Sequence, residues 1–111
     1  MARIRAIGSP IADLAIELLG FFAITYREVF GFPAPPVHDP CAVAWLIDPA
    51  VASTRRMRVD IETRGEFTYG RTVCDWHAIT GRAPNAEVAT DLDADRFWEL
   101  MIAALANYPA S

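Results

Sequence analysis

Five prolines fall within residues 33 to 49, in the stretch PAPPVHDPCAVAWLIDP, and neither a continuous helix nor a central strand can run through them. Each proline fixes its own φ near about −65° and removes a backbone donor. It also moves the residue before it out of the helical region. The chain is therefore divided into a part before Phe32, an extended approach over Phe32 to Pro36, and a short element that opens at Pro40 and is redirected at Pro49.

The elements on either side carry their own start and stop signals. Ser9 followed by Pro10 offers a side-chain oxygen for free amides and then a residue whose missing N–H costs nothing there. Ile11, Leu14, Leu18, Phe21, Phe22 and Val29 keep helical spacing up to Gly31, which predicts one long amphipathic helix. Asp39 with Pro40 repeats the signal, so Asp39 is expected to cap a short helix that Asp48 and Pro49 close. Ala42 to Ile47 has no polar residue, and burial on most sides is expected.

From Arg56 to Glu62 the pattern alternates, with Met57, Val59 and Ile61 on one face and Arg58 and Asp60 on the other, as in a half-buried strand. Arg71 to Trp76 and Ala86 to Leu92 are further strand candidates, separated by turn residues Gly81, Pro84 and Asn85. Asp93 is expected to cap a last helix whose apolar face is Phe97, Leu100, Met101, Ala104 and Leu105, ending before Pro109. The expected order is helix, short helix, three strands, helix, in an α/β chain forming a single unit over residues 1–111.

Composition adds one pressure to this outline. Apolar residues make up 53% of the 111, before the six glycines are added, against roughly 45–50% with glycine in ordinary soluble domains. A small domain has little interior in which to place such an excess, so an oligomer or a larger assembly is expected. A net charge of −4, with no basic cluster beyond Arg55, Arg56 and Arg58, argues against a nucleic-acid partner. The apolar run Ile11 to Ile24 is interrupted by Asp13 and Glu17 and is too short to span a bilayer. No secretory signal pattern follows Arg3 and Arg5, and a cytoplasmic location is expected. Cys41 and Cys74 are too few and too far apart for a disulfide framework or a zinc site, and two reduced, buried thiols are expected.

Among residues that could carry chemistry, His38 and Asp39 stand out. An aspartate at a helix start is usually a structural device and a loop histidine is usually only that. A cap, however, uses one carboxylate oxygen and leaves the other free for a metal ion or a hydroxyl. A histidine is the side chain that exchanges protons near neutrality. Asp75 and His77 read as surface polar residues at a strand end. Asp91, Asp93 and Asp95 have part of a calcium-loop spacing, but the loop's glycine and glutamate are missing, so they read as acids favoured at a helix start. The Arg55, Arg56 and Arg58 group reads as a solvated strand face, and Tyr26 as a rim contact on the long helix.

The segments PPVHDPCAVAWLIDP, RRMRVDIETRGEFTYGRTVCDW and PNAEVATDLDADRFWELM together resemble the C-terminal third of the inosine-uridine-preferring nucleoside hydrolases. The His-Asp-Pro motif leading into Ala-Val-Ala is the most specific part. The resemblance implies the C-terminal portion of an open α/β fold with a mixed sheet, and an enzyme that cleaves the N-glycosidic bond of ribonucleosides such as inosine and uridine. Asp39 matches the family's calcium-binding aspartate, whose ion holds the ribose hydroxyls, and is thereby a substrate contact. His38 matches the histidine that protonates the leaving base. Tyr26, or failing it Phe30, falls where some members carry an aromatic side chain over the base. The family's N-terminal Asp-x-Asp-Pro-Gly-x-Asp-Asp motif has no match in this chain. The resemblance therefore implies an incomplete calcium site and an active enzyme only with an N-terminal partner segment. The competing expectation is an inactive module that self-associates through apolar surface.

Overall fold

A computed structural model describes residues 1–109. The chain divides into two compact units, one formed by Met1–Val51 with the segment from Asp93 onward, the other by Ala52–Leu92.

The first unit is helical. It contains α1 (Ala2–Arg5), α2 (Pro10–Phe30), α3 (His38–Ile47), a 3₁₀ turn (Pro49–Val51) and α4 (Ala94–Ala106). The α2 start is as expected: Ser9 Oγ accepts from the Ala12 N–H at 3.4 Å and Pro10 is the first helical residue. Gly31 ends the helix at φ 69°, a left-handed conformation that a side chain would strain. Asp93 caps α4, its Oδ1 accepting from the Arg96 N–H at 3.0 Å, and its own N–H donates to the Val51 carbonyl at 2.9 Å. The buried apolar residues are Ile4, Ala12, Ala44, Val51 and Phe97, with buried Ser9 beside them. Ser9→Ala removes an acceptor from a buried amide, and we expect it to cost about 1 kcal/mol in a urea titration followed by circular dichroism.

Three expectations for this unit are corrected. Helix α1 occupies a segment for which no element was expected. Helix α3 begins earlier than expected: Val37 is its N-cap without a side-chain bond, and Asp39 is already within the first turn. The physical reason is that the opening N–H groups of a helix lack partners, so Pro40 is tolerated at the third position as well as the first. The apolar faces are also less buried than their pattern suggests. On α2, Leu14, Leu18, Phe21, Phe22 and Val29 are 49–66% exposed, and on α3, Val43, Leu46 and Ile47 are 56–75% exposed while only Ala44 is buried. These faces have the composition of a core without a second layer to complete it.

The second unit holds β1 (Ala52–Met57), β2 (Val59–Ile61), β3 (Thr72–Cys74) and β4 (Ala86–Leu92). β1 pairs antiparallel with β4, from Ala52 opposite Leu92 to Met57 opposite Ala86, with an irregularity between Ser53 and Thr54. β2 pairs antiparallel with β3, Val59 opposite Cys74 and Ile61 opposite Thr72. Four strands thus replace the expected three, because the Arg56 to Glu62 run breaks at Arg58 and changes partner. Asn85 marks the change. Its side-chain amide accepts from the Val59 N–H at 2.7 Å and donates to the Val59 carbonyl at 2.9 Å, standing in for a neighbouring strand. Met57 is the buried apolar residue of this unit, while Ile61 on the same expected face is 55% exposed.

Polar side chains hold the second unit's loops. Asp60 takes the guanidinium of Arg58 and, at 2.8 Å, that of Arg82, so Arg58 is not simply a solvated residue. Glu62 Oε1 accepts from the N–H groups of Arg64 and Gly65 at 2.7 and 3.1 Å. Asp75 clamps the loop after β3, accepting from the Ile79 N–H, the Thr80 N–H and the Thr80 hydroxyl at 2.8, 3.0 and 2.6 Å. Arg55 lies over the Trp76 ring at 4.9 Å, a cation–π contact. Asp91 lies in β4 rather than at a helix start. Both cysteines are free, but Cys74 is exposed rather than buried and Cys41 is half-buried.

The carboxyl groups so engaged are held below their ordinary range, Asp60 by Arg58, Asp75 by the Thr80 hydroxyl and Glu62 by the Arg64 N–H, and in the helical unit Asp48 is held down likewise by its pairing with the Arg96 guanidinium. A depressed folded-state pKa adds stability above the unfolded value of about 4, and that stability is lost as pH falls through the lowered values. We expect the urea midpoint to fall below about pH 4 from these groups, and Asp60→Asn to flatten part of that decline.

Candidate functional site

The first unit carries a groove of about 370 Å³ between α2, the proline-rich approach, the start of α3, and α4. Its apolar lining includes Leu18, Leu19 and Phe22 from α2 and Trp98, Met101 and Leu105 from α4. Its polar groups are those singled out in the sequence. Tyr26, His38 and Asp39 all line it, together with Pro35, Pro36 and Val37.

Each is positioned by local structure. His38 and Asp39 are the first two residues of α3, so both sit at the helix end whose free N–H groups favour a negative charge. Both are exposed. The thiol of Cys41 donates to the Val37 carbonyl at 2.9 Å, tying the first turn to the residue before His38. The prolines leave the approach few alternative conformations. Far along α3, Asp48 accepts from the Ala50 N–H at 3.0 Å and pairs with the Arg96 guanidinium, which joins the end of α3 to the start of α4.

Tyr26, half-buried, reaches the groove from the last turns of α2. Phe30 does not line the groove. It packs against Tyr26 with ring centroids 5.2 Å apart. A third ring, Phe32, stacks on Tyr26 at 6.2 Å with 20° between planes. Sequence reasoning missed Phe32, although its place directly after the helix-ending Gly31 was a signal that the chain folds back there. Trp98 was also missed; it is a neighbour of the apolar face read along α4.

The donor set near Asp39 does not make a metal centre by itself. Calcium takes about 6–8 oxygen ligands, and among the described residues no three His, Cys, Asp or Glu side chains come together as a metal site requires. Within this chain the groove offers an imidazole, a carboxylate and an aromatic ring along one apolar trough. Such a set can bind a flat, partly apolar ligand and exchange a proton with it.

The family model described as inosine-uridine preferring nucleoside hydrolase matches residues 1–99, and the chain belongs to that family. Among its curated relatives are the pyrimidine-specific ribonucleoside hydrolase RihA of Salmonella gallinarum and that of Salmonella typhimurium. Each is 43% identical over 107 residues, covering 96% of this chain and 34% of the relative. The chain therefore spans about a third of the length of these relatives. Two solved structures share the fold: a purine-preferring ribonucleoside hydrolase from Gardnerella vaginalis, with TM-score 0.74 and 22% identity over 95% of this chain and 33% of that one, and a plant nucleoside hydrolase, with TM-score 0.75 and 21% identity over 96% and 36%. The fold is that of a C-terminal portion of a nucleoside hydrolase domain. No helix among the described residues is long and apolar enough to cross a membrane.

Proposed function

We propose that this chain is the leaving-group half of a ribonucleoside hydrolase active site, cleaving the N-glycosidic bond to free base and ribose once the rest of the family domain is joined to it. The observation that carries the reading is the convergence of Tyr26, His38 and Asp39 on one groove. Cleavage of such a bond passes through an oxocarbenium-like transition state, and the departing base needs a proton. His38 is the group that donates it. Tyr26 lies against the base, and the prolines hold His38 and Asp39 at the groove edge.

Asp39 supplies one carboxylate to a calcium ion in this reading. The other oxygens come from outside the 111 residues, since the chain's own donors do not complete the site. A calorimetric calcium titration tests this. The chain alone is expected to show no stoichiometric binding. Mixed with the remaining two-thirds of a family member it is expected to bind one ion, and Asp39→Ala should abolish that binding. Stoichiometric binding by the chain alone would sink the shared-site reading.

The direct test is hydrolysis of uridine and inosine by the chain, the complementary segment, and both together. Turnover only in the mixture supports the proposal. A second reading rests on the exposed apolar faces of α2 and α3, which suit a module that associates with its own copies. It predicts concentration-dependent oligomers in analytical ultracentrifugation and no turnover in the mixture.

A further inference from the structure

We infer that Phe32 is a positioning residue that fixes the Tyr26 ring at the groove, and so sets how tightly the groove takes a nucleobase. The inference rests on the base-site reading above and adds a residue to it.

Three backbone features fold Phe32 back onto α2. Gly31 has φ 69°, its N–H donates to both the Arg27 and Tyr26 carbonyls, and the Phe32 N–H donates to the Tyr26 carbonyl at 3.2 Å. The turn therefore closes on the same residue whose side chain lines the groove. Phe32 then lies nearly parallel to Tyr26, with 20° between the planes, and Phe30 lies tilted against it at 40°. Phe30 and Phe32 contact each other at 6.0 Å, so the three rings form one cluster. Aromatic neighbours at such distances favour defined mutual orientations.

Phe32 itself does not line the groove, and it is 49% exposed. A half-exposed phenylalanine in a loop contributes little to a core, so its structural consequence lies in the ring cluster, where it stacks on Tyr26 and tilts against Phe30. Without it, the Tyr26 ring keeps its stem on α2 but loses the stacked neighbour that restricts its rotation. A ligand stacking on that ring would then have to order it, which weakens binding.

The test uses the 111-residue chain, with uracil as the probe and the Tyr26 ring protons followed by NMR. Phe32→Ala should move the Tyr26 ring resonances, because the ring current of a stacked neighbour is lost, and should raise the uracil Kd about three- to tenfold. Phe32→Tyr keeps the stacked ring and should restore both. Ser9→Ala, which weakens α2 at its far end, should leave the Kd unchanged. Unchanged affinity in Phe32→Ala, with uracil still perturbing Tyr26, overturns the positioning role and leaves the base-site reading standing. Failure of uracil to perturb Tyr26 in the unaltered chain, both alone and mixed with the complementary segment, overturns the base-site reading, and the affinity claim for Phe32 with it. Loss of affinity equally in Ser9→Ala would mean that general loosening of α2 is the cause, and would also overturn the inference.

Discussion

His38→Ala is expected to reduce uridine hydrolysis by the chain and its complementary segment about 10²–10⁴-fold, the range general acid catalysis contributes. The loss should fall mainly on kcat, because the proton reaches the base only as the bond breaks and a group acting in the transition state leaves ground-state binding little changed. His38 is the second residue after Pro36 and the first residue of α3, exposed at the groove. Its truncation leaves no buried partner unsatisfied, and the fold should tolerate it. That separates a catalytic effect from a structural one: the circular dichroism spectrum and urea midpoint should match those of the unaltered chain. A riboside whose leaving group departs without a proton supplies the sharper control. His38→Ala should hydrolyse it at nearly the unaltered rate if the imidazole acts as acid. An equal loss on both substrates would place His38 in binding or folding and refute its role as proton donor.

How far the sequence anticipates such a site depends on what kind of signal each residue gives. Ser9 with Pro10, Gly31 and Asp93 were legible because each acts on the backbone next to it, and the structure shows the expected cap or left-handed turn at all three. Asp39 with Pro40 misled by a short shift, since a proline fits anywhere in the first turn and the pair alone does not say which position it occupies. The break at Arg58 was invisible for a different reason. Alternation reports which face a side chain takes, and Met57, Val59 and Ile61 continue to alternate while the strand changes partner from β4 to β3. Only the Asn85 side chain, distant in sequence, reveals the change.

The groove was legible in a similar mixture. His38 and Asp39 came from a motif, and both line the groove, although from the first turn of α3 rather than from the loop and cap position expected. Tyr26 and Phe30 came from a variable segment; both lie on α2, and of the two only Tyr26 lines the groove. Phe30 packs beside Tyr26, and the turn at Gly31 adds Phe32. Burial was the least legible property. Hydropathy marks α2 and α3 as core helices, but burial requires a second surface, and pattern along one chain does not contain it.

Phe97→Ala is expected to remove a large share of the helical unit's stability, and this follows from how little else that unit buries. Truncating a buried phenylalanine costs about 3–5 kcal/mol through lost transfer energy and the cavity left behind, against a total stability of about 5–15 kcal/mol for ordinary domains. Phe97 is 2% exposed and packs edge-on against Trp98 at 5.3 Å. Its buried apolar companions in the unit are Ile4, Ala12, Ala44 and Val51, two of them alanines. No other large aromatic side chain in this core can take up the loss. Phe67 provides the contrast at 92% exposure, and Phe67→Ala should change stability by no more than about 0.5 kcal/mol. A urea titration of both variants checks the pair. Repeating it with the complementary segment present extends the argument: if the exposed faces of α2 and α3 are covered there, the added burial should offset much of the Phe97→Ala loss. A Phe97→Ala chain as stable as the parent would show that the core is not centred on this residue, and a complement that restores nothing would show that those faces are not where it binds.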